Sequence, residues 1–92
     1  MTHRAGAKRF LLSYIAEIDR MAAVLGGIPV WEVLPDSAAE AAGLAFGDII
    51  LSVNHTPTPT FADFLEAGRI HLERLEFQVF RNGQVLELVQ RE

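Results

Sequence analysis

The stretch whose reading decides the fold is residues 28–54, IPVWEVLPDSAAEAAGLAFGDIILSVN. Ile28 to Leu34 reads as a strand, with Ile28, Val30, Glu32 and Leu34 on one face and Pro29, Trp31 and Val33 on the other. Pro29 belongs near the first residue of such a strand or on an exposed edge, because it has no amide to donate. Trp31 is assigned to core or sheet-face packing. Pro35 and Asp36 break the strand. Ser37, with Glu40 three residues on, forms a capping box that starts a short helix over Ala38 to Ala42, closed by Gly43. Gly47 and Asp48 make a turn, and the run Ile49 to Val53 is a second strand ended by Asn54 and His55. Asp48 is read as an acceptor for loop amides.

Downstream, two prolines make Thr56 to Pro59 a loop. Thr60 is the cap of a helix that begins at Phe61 and stops at Gly68, with Asp63 in its first turn. A helix packed on a sheet turns some apolar residues inward. Phe64 is assigned to the core, and Phe61 and Leu65, four apart and on one side, to the wall of a groove. Leu75 to Val79 and Val85 to Val89 alternate around Asn82-Gly83, a strong hairpin signal. Upstream the reading divides. In Ala7 to Leu25, the polar residues Arg9, Ser13, Glu17 and Arg20 recur at helical spacing, yet Phe10, Leu12, Tyr14, Ala16 and Ile18 alternate as in a strand. Gly26 and Gly27 end either element. The fold class is α+β with a mostly antiparallel sheet, divided into an N-terminal segment, residues 1–25, and a core, residues 26–92.

Composition excludes several functions. A chain of 92 residues, 50% of them hydrophobic, builds one core with no disulfide or metal staple, and it has no cysteine for a thiol nucleophile or a thiolate zinc site. The net charge of −4, with no basic residue between positions 21 and 60, argues against nucleic acid. No apolar run approaches the length of a membrane span. Lys8 and Arg9 before Phe10, Leu11 and Leu12 imitate a secretory signal, but Glu17 and Asp19 interrupt it, so no signal peptide is read. His3, His55 and His71 lack metal-helix spacing, and Ser13, Ser37 and Ser52 lack a nucleophile elbow. His71 near Glu73, and Asp63 near Glu66, are read as solvated surface. Neither an enzyme nor a cofactor or metal site is expected.

The run Pro35, Asp36, Ser37, Ala38, Ala39, then Ala42, Gly43, Leu44, then Gly47, Asp48, Ile49, Ile50, then Val53 and Asn54, resembles bacterial PDZ domains over about residues 26–90. It is similar to those of Deg/HtrA-type proteases, site-two-type proteases and the type II secretion component C. The resemblance implies a small, mostly antiparallel β-sandwich or partial barrel with two helices plus an N-terminal helix or strand. Two departures stand out. Asn54-His55 replaces the usual Asn-Gly, and the carboxylate loop, which falls by position on Arg9 to Ser13, has no glycine. In the Deg/HtrA-like alignment Phe10 to Ile15 supplies that loop and a ligand-pairing strand. In the secretion-component alignment a helix comes first and a strand starts near Tyr14.

The function so implied is a non-catalytic module that binds an extended or C-terminal peptide by strand addition beside the 61–68 helix. The amides of Phe10, Leu11 and Leu12, with Arg9 nearby, are the carboxylate candidates, Phe61 and Leu65 the apolar pocket, and Arg69 a charge closing its end. The partner is a protein or peptide with an apolar C-terminus or an extended segment. Two alternatives stay open: an assembly domain whose groove is closed by its own N-terminal segment, and a regulatory domain cut from a protease. A homodimer through the apolar face of Phe10 and Ile15 is a further expectation. Compartment is not readable, and is periplasmic if the domain belongs to a larger secreted or membrane-anchored protein.

Overall fold

The computed structural model describes the backbone of residues 3–70 and 74–91, and the side chains of residues 13–67 and 74–90. Element order is α1 (His3–Leu25), β1 (Ile28–Pro29), α2 (Ala38–Ala42), β2 (Ile49–Val53), β3 (Thr56–Pro57), α3 (Phe61–Ile70), β4 (Arg74–Arg81) and β5 (Gln84–Arg91). The sheet runs β1-β2-β4-β5, with β3 hairpinned onto β2, and every pairing is antiparallel. The α+β architecture inferred from the sequence is the one observed.

The local signals act where they were read. Ser37 Oγ accepts from the Glu40 amide at 3.2 Å, while the Glu40 carboxylate accepts from the Asp36 amide at 3.0 Å, so the return arm of the cap lands one residue before Ser37. Gly43 ends α2 in the left-handed region at φ 92°, and the Leu44 amide donates back to Ala39 O at 3.0 Å. Thr60 caps α3 by accepting from the Asp63 amide at 3.1 Å. Asn82 and Gly83, both with positive φ, connect β4 to β5 in two residues.

Four readings are corrected. The strand expected over Ile28 to Leu34 pairs only at Ile28 and Pro29 and continues without a partner strand. Thr56 and Pro57, read as loop, pair with Val53 and Ser52. α3 passes through Gly68 to Ile70. Trp31 is more exposed than a core residue and stacks on the rim, 5.7 Å from the Phe46 ring. His71 and Glu73 lie outside the described residues.

The core joins Val30, Ala42, Leu44, Ile50, Val53, Ala67, Phe77 and Val79, with Val33, Phe64, Leu86 and Leu88 packed against it. β2 carries a bulge between Ile50 and Ser52, where Thr58, fully buried, donates its hydroxyl to Ile50 O at 3.3 Å and its amide to Leu51 O at 3.2 Å. Gly27 is where the chain leaves α1 and touches the sheet. A Cβ there would lie 2.6 Å from Ile49 Cγ2 and 2.7 Å from Ile50 O, so no side chain fits.

Candidate functional site

α3 carries one half of the site. Phe64 and Ala67 face the core, which leaves Phe61, 61% exposed, and Leu65, 51% exposed, side by side in solvent. Phe61 stacks on Phe64 with centroids 6.0 Å apart, so its ring is held although its outer face is bare. Arg69 lies in the last turn of α3, and its side chain is outside the described residues.

The other half is the segment that fails to complete a strand. Val30 is anchored at both polar atoms, donating to Asp48 O and accepting from the Gly47 amide, each at 2.8 Å. Leu34 O accepts from the Ser37 hydroxyl at 2.7 Å. Between those anchors Trp31, Glu32 and Val33 make no backbone–backbone hydrogen bond among the described residues, although Val33 packs on the same core as Phe64. Three successive residues thus offer amides and carbonyls beside the core with no strand taking them.

Arg9, Phe10, Leu11 and Leu12 lie inside α1. Amides well inside a helix bond to carbonyls four residues back, so those of Phe10 to Leu12 form no open carboxylate cradle. Neither the ligand-pairing strand over Phe10 to Ile15 nor the strand expected from near Tyr14 is present, because the form observed is the helix, which runs unbroken to Leu25. Its side chains up to Leu12 are outside the described residues.

Two features were invisible in the sequence. One is a cleft of about 710 Å³ between the second half of α1 and the rim of the sheet, lined by Tyr14, Ile18, Met21, Phe46, Ile49 and Phe80 among others. The other is the pairing of Asp48, whose side chain is 2% exposed, with Arg81, 31% exposed. Arg81 Nε and Nη2 each donate to the carboxylate at 2.7 Å, Nη2 also donates to Gly43 O at 2.7 Å, and the Ala45 amide completes the cluster at 2.9 Å. These hydrogen bonds hold the Arg81 pKa above its ordinary value, against the lowering effect of burial. The amide role of Asp48 was legible; its partner, 33 residues away, had no local signal. Among the described residues no group of acidic and histidine side chains could hold a metal.

A five-stranded antiparallel sheet closed by a hairpin and flanked by helices defines a small α+β domain. The family model for the PDZ domain matches residues 8–89, and the chain belongs to that family, one of non-catalytic interaction modules. It is 37% identical over 91 residues to the zinc metalloprotease RasP of Geobacillus kaustophilus, covering 91% of this chain and 21% of that protein. A probable serine protease do-like of Buchnera aphidicola is 36% identical over 77 residues, covering 82% of this chain and 16% of the relative. The chain therefore spans about a fifth or less of these relatives. Among solved structures, the HtrA3 PDZ domain bound to a phage-derived ligand, FGRWV, superposes with a TM-score of 0.63 at 31% identity, over 71% of this chain and 58% of that one. The HtrA-type protease AlgW, in its S227A form with a decapeptide, gives 0.63 at 25% identity, over 78% of this chain and 24% of that one.

Proposed function

We propose that this domain binds an extended peptide with an apolar C-terminal residue, by strand addition along Trp31 to Val33 and seating of the apolar side chain against Phe61 and Leu65. The observation that carries this reading is the run of three residues without backbone partners among the described residues, whose Val33 packs on the same core as Phe64 of a helix that turns Phe61 and Leu65 to solvent. Strand addition supplies main-chain hydrogen bonds and the helix supplies selectivity. The HtrA3 PDZ domain, similar to this chain, takes a pentapeptide ending in valine, which fits a pocket of two half-bare apolar residues. With the amides of Phe10 to Leu12 inside α1, the main-chain contacts carry the affinity and a terminal carboxylate adds less than in a glycine-loop groove.

Titration of the chain with FGRWV, in free-acid and amidated forms, followed by amide chemical shifts, tests this. Micromolar binding that moves residues 30–34 and 61–67, and that Leu65→Lys weakens without a matching fall in melting temperature, is the expected result. Shifts confined to other surfaces, or an unaffected Leu65→Lys variant, would reject it.

A further inference from the structure

β5 ends the sheet, and among the described residues its outer edge pairs with nothing. The two-residue turn at Asn82-Gly83 makes Arg81 and Gln84 a hydrogen-bonded pair, and from there the antiparallel ladder alternates. Gln84, Leu86, Leu88 and Gln90 thus spend their amides and carbonyls on β4. Val85, Glu87, Val89 and Arg91 aim theirs outward. The same alternation sorts side chains: Leu86 and Leu88 pack on the core, while Val85, 54% exposed, and Val89, 37% exposed, flank Glu87 on the opposite face.

Residues 84–90 read Gln-Val-Leu-Glu-Leu-Val-Gln, a palindrome about Glu87. A symmetric dimer requires each residue of such an edge to meet its mirror position. We propose that the outer edge of β5 is a self-association surface for a second copy of this chain, in the register centred on Glu87, with the charge of Glu87 setting its strength. In this register the outward amides and carbonyls of residues 85, 87 and 89 meet those of 89, 87 and 85 in the second copy, which gives six main-chain hydrogen bonds. Val85 then faces Val89 twice and Leu86 faces Leu88 twice. The single unfavourable contact is Glu87 against its own copy, because like charges directly opposite each other repel. Registers one step to either side relieve that contact but oppose Glu87 to a valine and leave the valine pairs unmatched.

Glu87 faces Gln78 directly across β4, and shares a small recess with Glu76 and His55, which lie 3.1 Å apart; Arg74 neutralises Glu76 from the other side at 2.7 Å. Among the described side chains, Arg74 is thus already engaged by Glu76 rather than by Glu87.

Sedimentation velocity at neutral pH is expected to show self-association about fivefold tighter or more for Glu87→Thr than for the parent. Adding Val85→Pro to Glu87→Thr removes an outward donor at an edge position and should return the chain to monomer, as should Val85→Lys, which leaves the backbone alone. Amide exchange supplies the register: on pairing, Val85, Glu87 and Val89 gain protection, whereas Leu86 and Leu88 are protected throughout. An unchanged sedimentation profile for Glu87→Thr overturns the proposal. Self-association without that alternating protection overturns it equally.

Discussion

Asp48 and Arg81 share one set of hydrogen bonds, but only the carboxylate is sealed from water, and this inequality decides what each removal does. Arg81→Met strands an ionised group that keeps only the Ala45 amide, and is expected to destabilise the fold by about 3 kcal/mol or more. Asp48→Asn keeps an acceptor for that amide and leaves a guanidinium that can turn to solvent, for a loss of about 1–2 kcal/mol. Urea unfolding of the two variants tests the order; equal losses would mean that burial does not govern the pair. The pH sign follows from the raised arginine pKa. The share that comes from holding the Arg81 proton is fully present below the ordinary arginine value and fades only in strong alkali, so that share is flat across the neutral range. A second residue contrasts with this pair. His55, at φ 68°, occupies the left-handed position where the resembling domains usually carry a glycine, and its exposed imidazole lies 3.1 Å from Glu76.

At the scale of elements, what was legible is what local chemistry specifies. α2, the start of α3 and the β4–β5 turn all follow from side chains that bond within three or four residues of their own backbone, or from positive-φ residues, and sequence displays such information directly. Ser37→Ala is expected to cost about 1 kcal/mol by freeing the Glu40 amide, and Glu40→Ala less, since it frees only the exposed Asp36 amide; thermal melts of both variants check the order. What was not legible depends on partners distant in sequence. Trp31 to Val33 has the composition of a strand, yet a strand exists only where another edge meets it, and the antiparallel β2 begins only at Ile49, with the turn closed by Asp48 N to Ala45 O standing where its continuation would be needed. Thr56 and Pro57 show the converse, a loop composition drawn into pairing by the tight turn before it. The Ala7 to Leu25 stretch carried both periodicities. Its alanines, leucines and charged residues favour helix when no strand is placed to pair with it. That single outcome moved the carboxylate candidates out of the site, whereas Phe61 and Leu65 stand on the face that helical spacing assigned them.

For the whole molecule, the decisive fact is that, among the described side chains, none from α1 belongs to the central cluster of Val30, Ile50, Phe77, Val79 and their neighbours. α1 touches the sheet at its rim, through buried Ala22 and the Tyr14–Phe46 contact at 6.3 Å, with the 710 Å³ cleft opening between. An element held by a few rim contacts opens at a lower free energy than the sheet on which it rests. Native-state hydrogen exchange should therefore place the α1 amides in a separate, less stable unit from β2, β4 and β5. Ala22→Glu buries a charge at an α1 position sealed against the body, and is expected to abolish that protection selectively. The Phe77 and Val79 amides should stay protected in the variant, because nothing they pack against has changed. The clasp at the opposite end of β4, where Asn54 accepts from the Glu76 amide at 2.7 Å and donates to Arg74 O at 3.1 Å, should hold as well. Simultaneous loss of protection in α1 and β4 would instead make the helix part of one cooperative unit with the sheet. The division near residue 25 would then mark a bend in a single folding domain, and the groove formed by Phe61, Leu65 and Trp31 to Val33 would depend on α1 being docked.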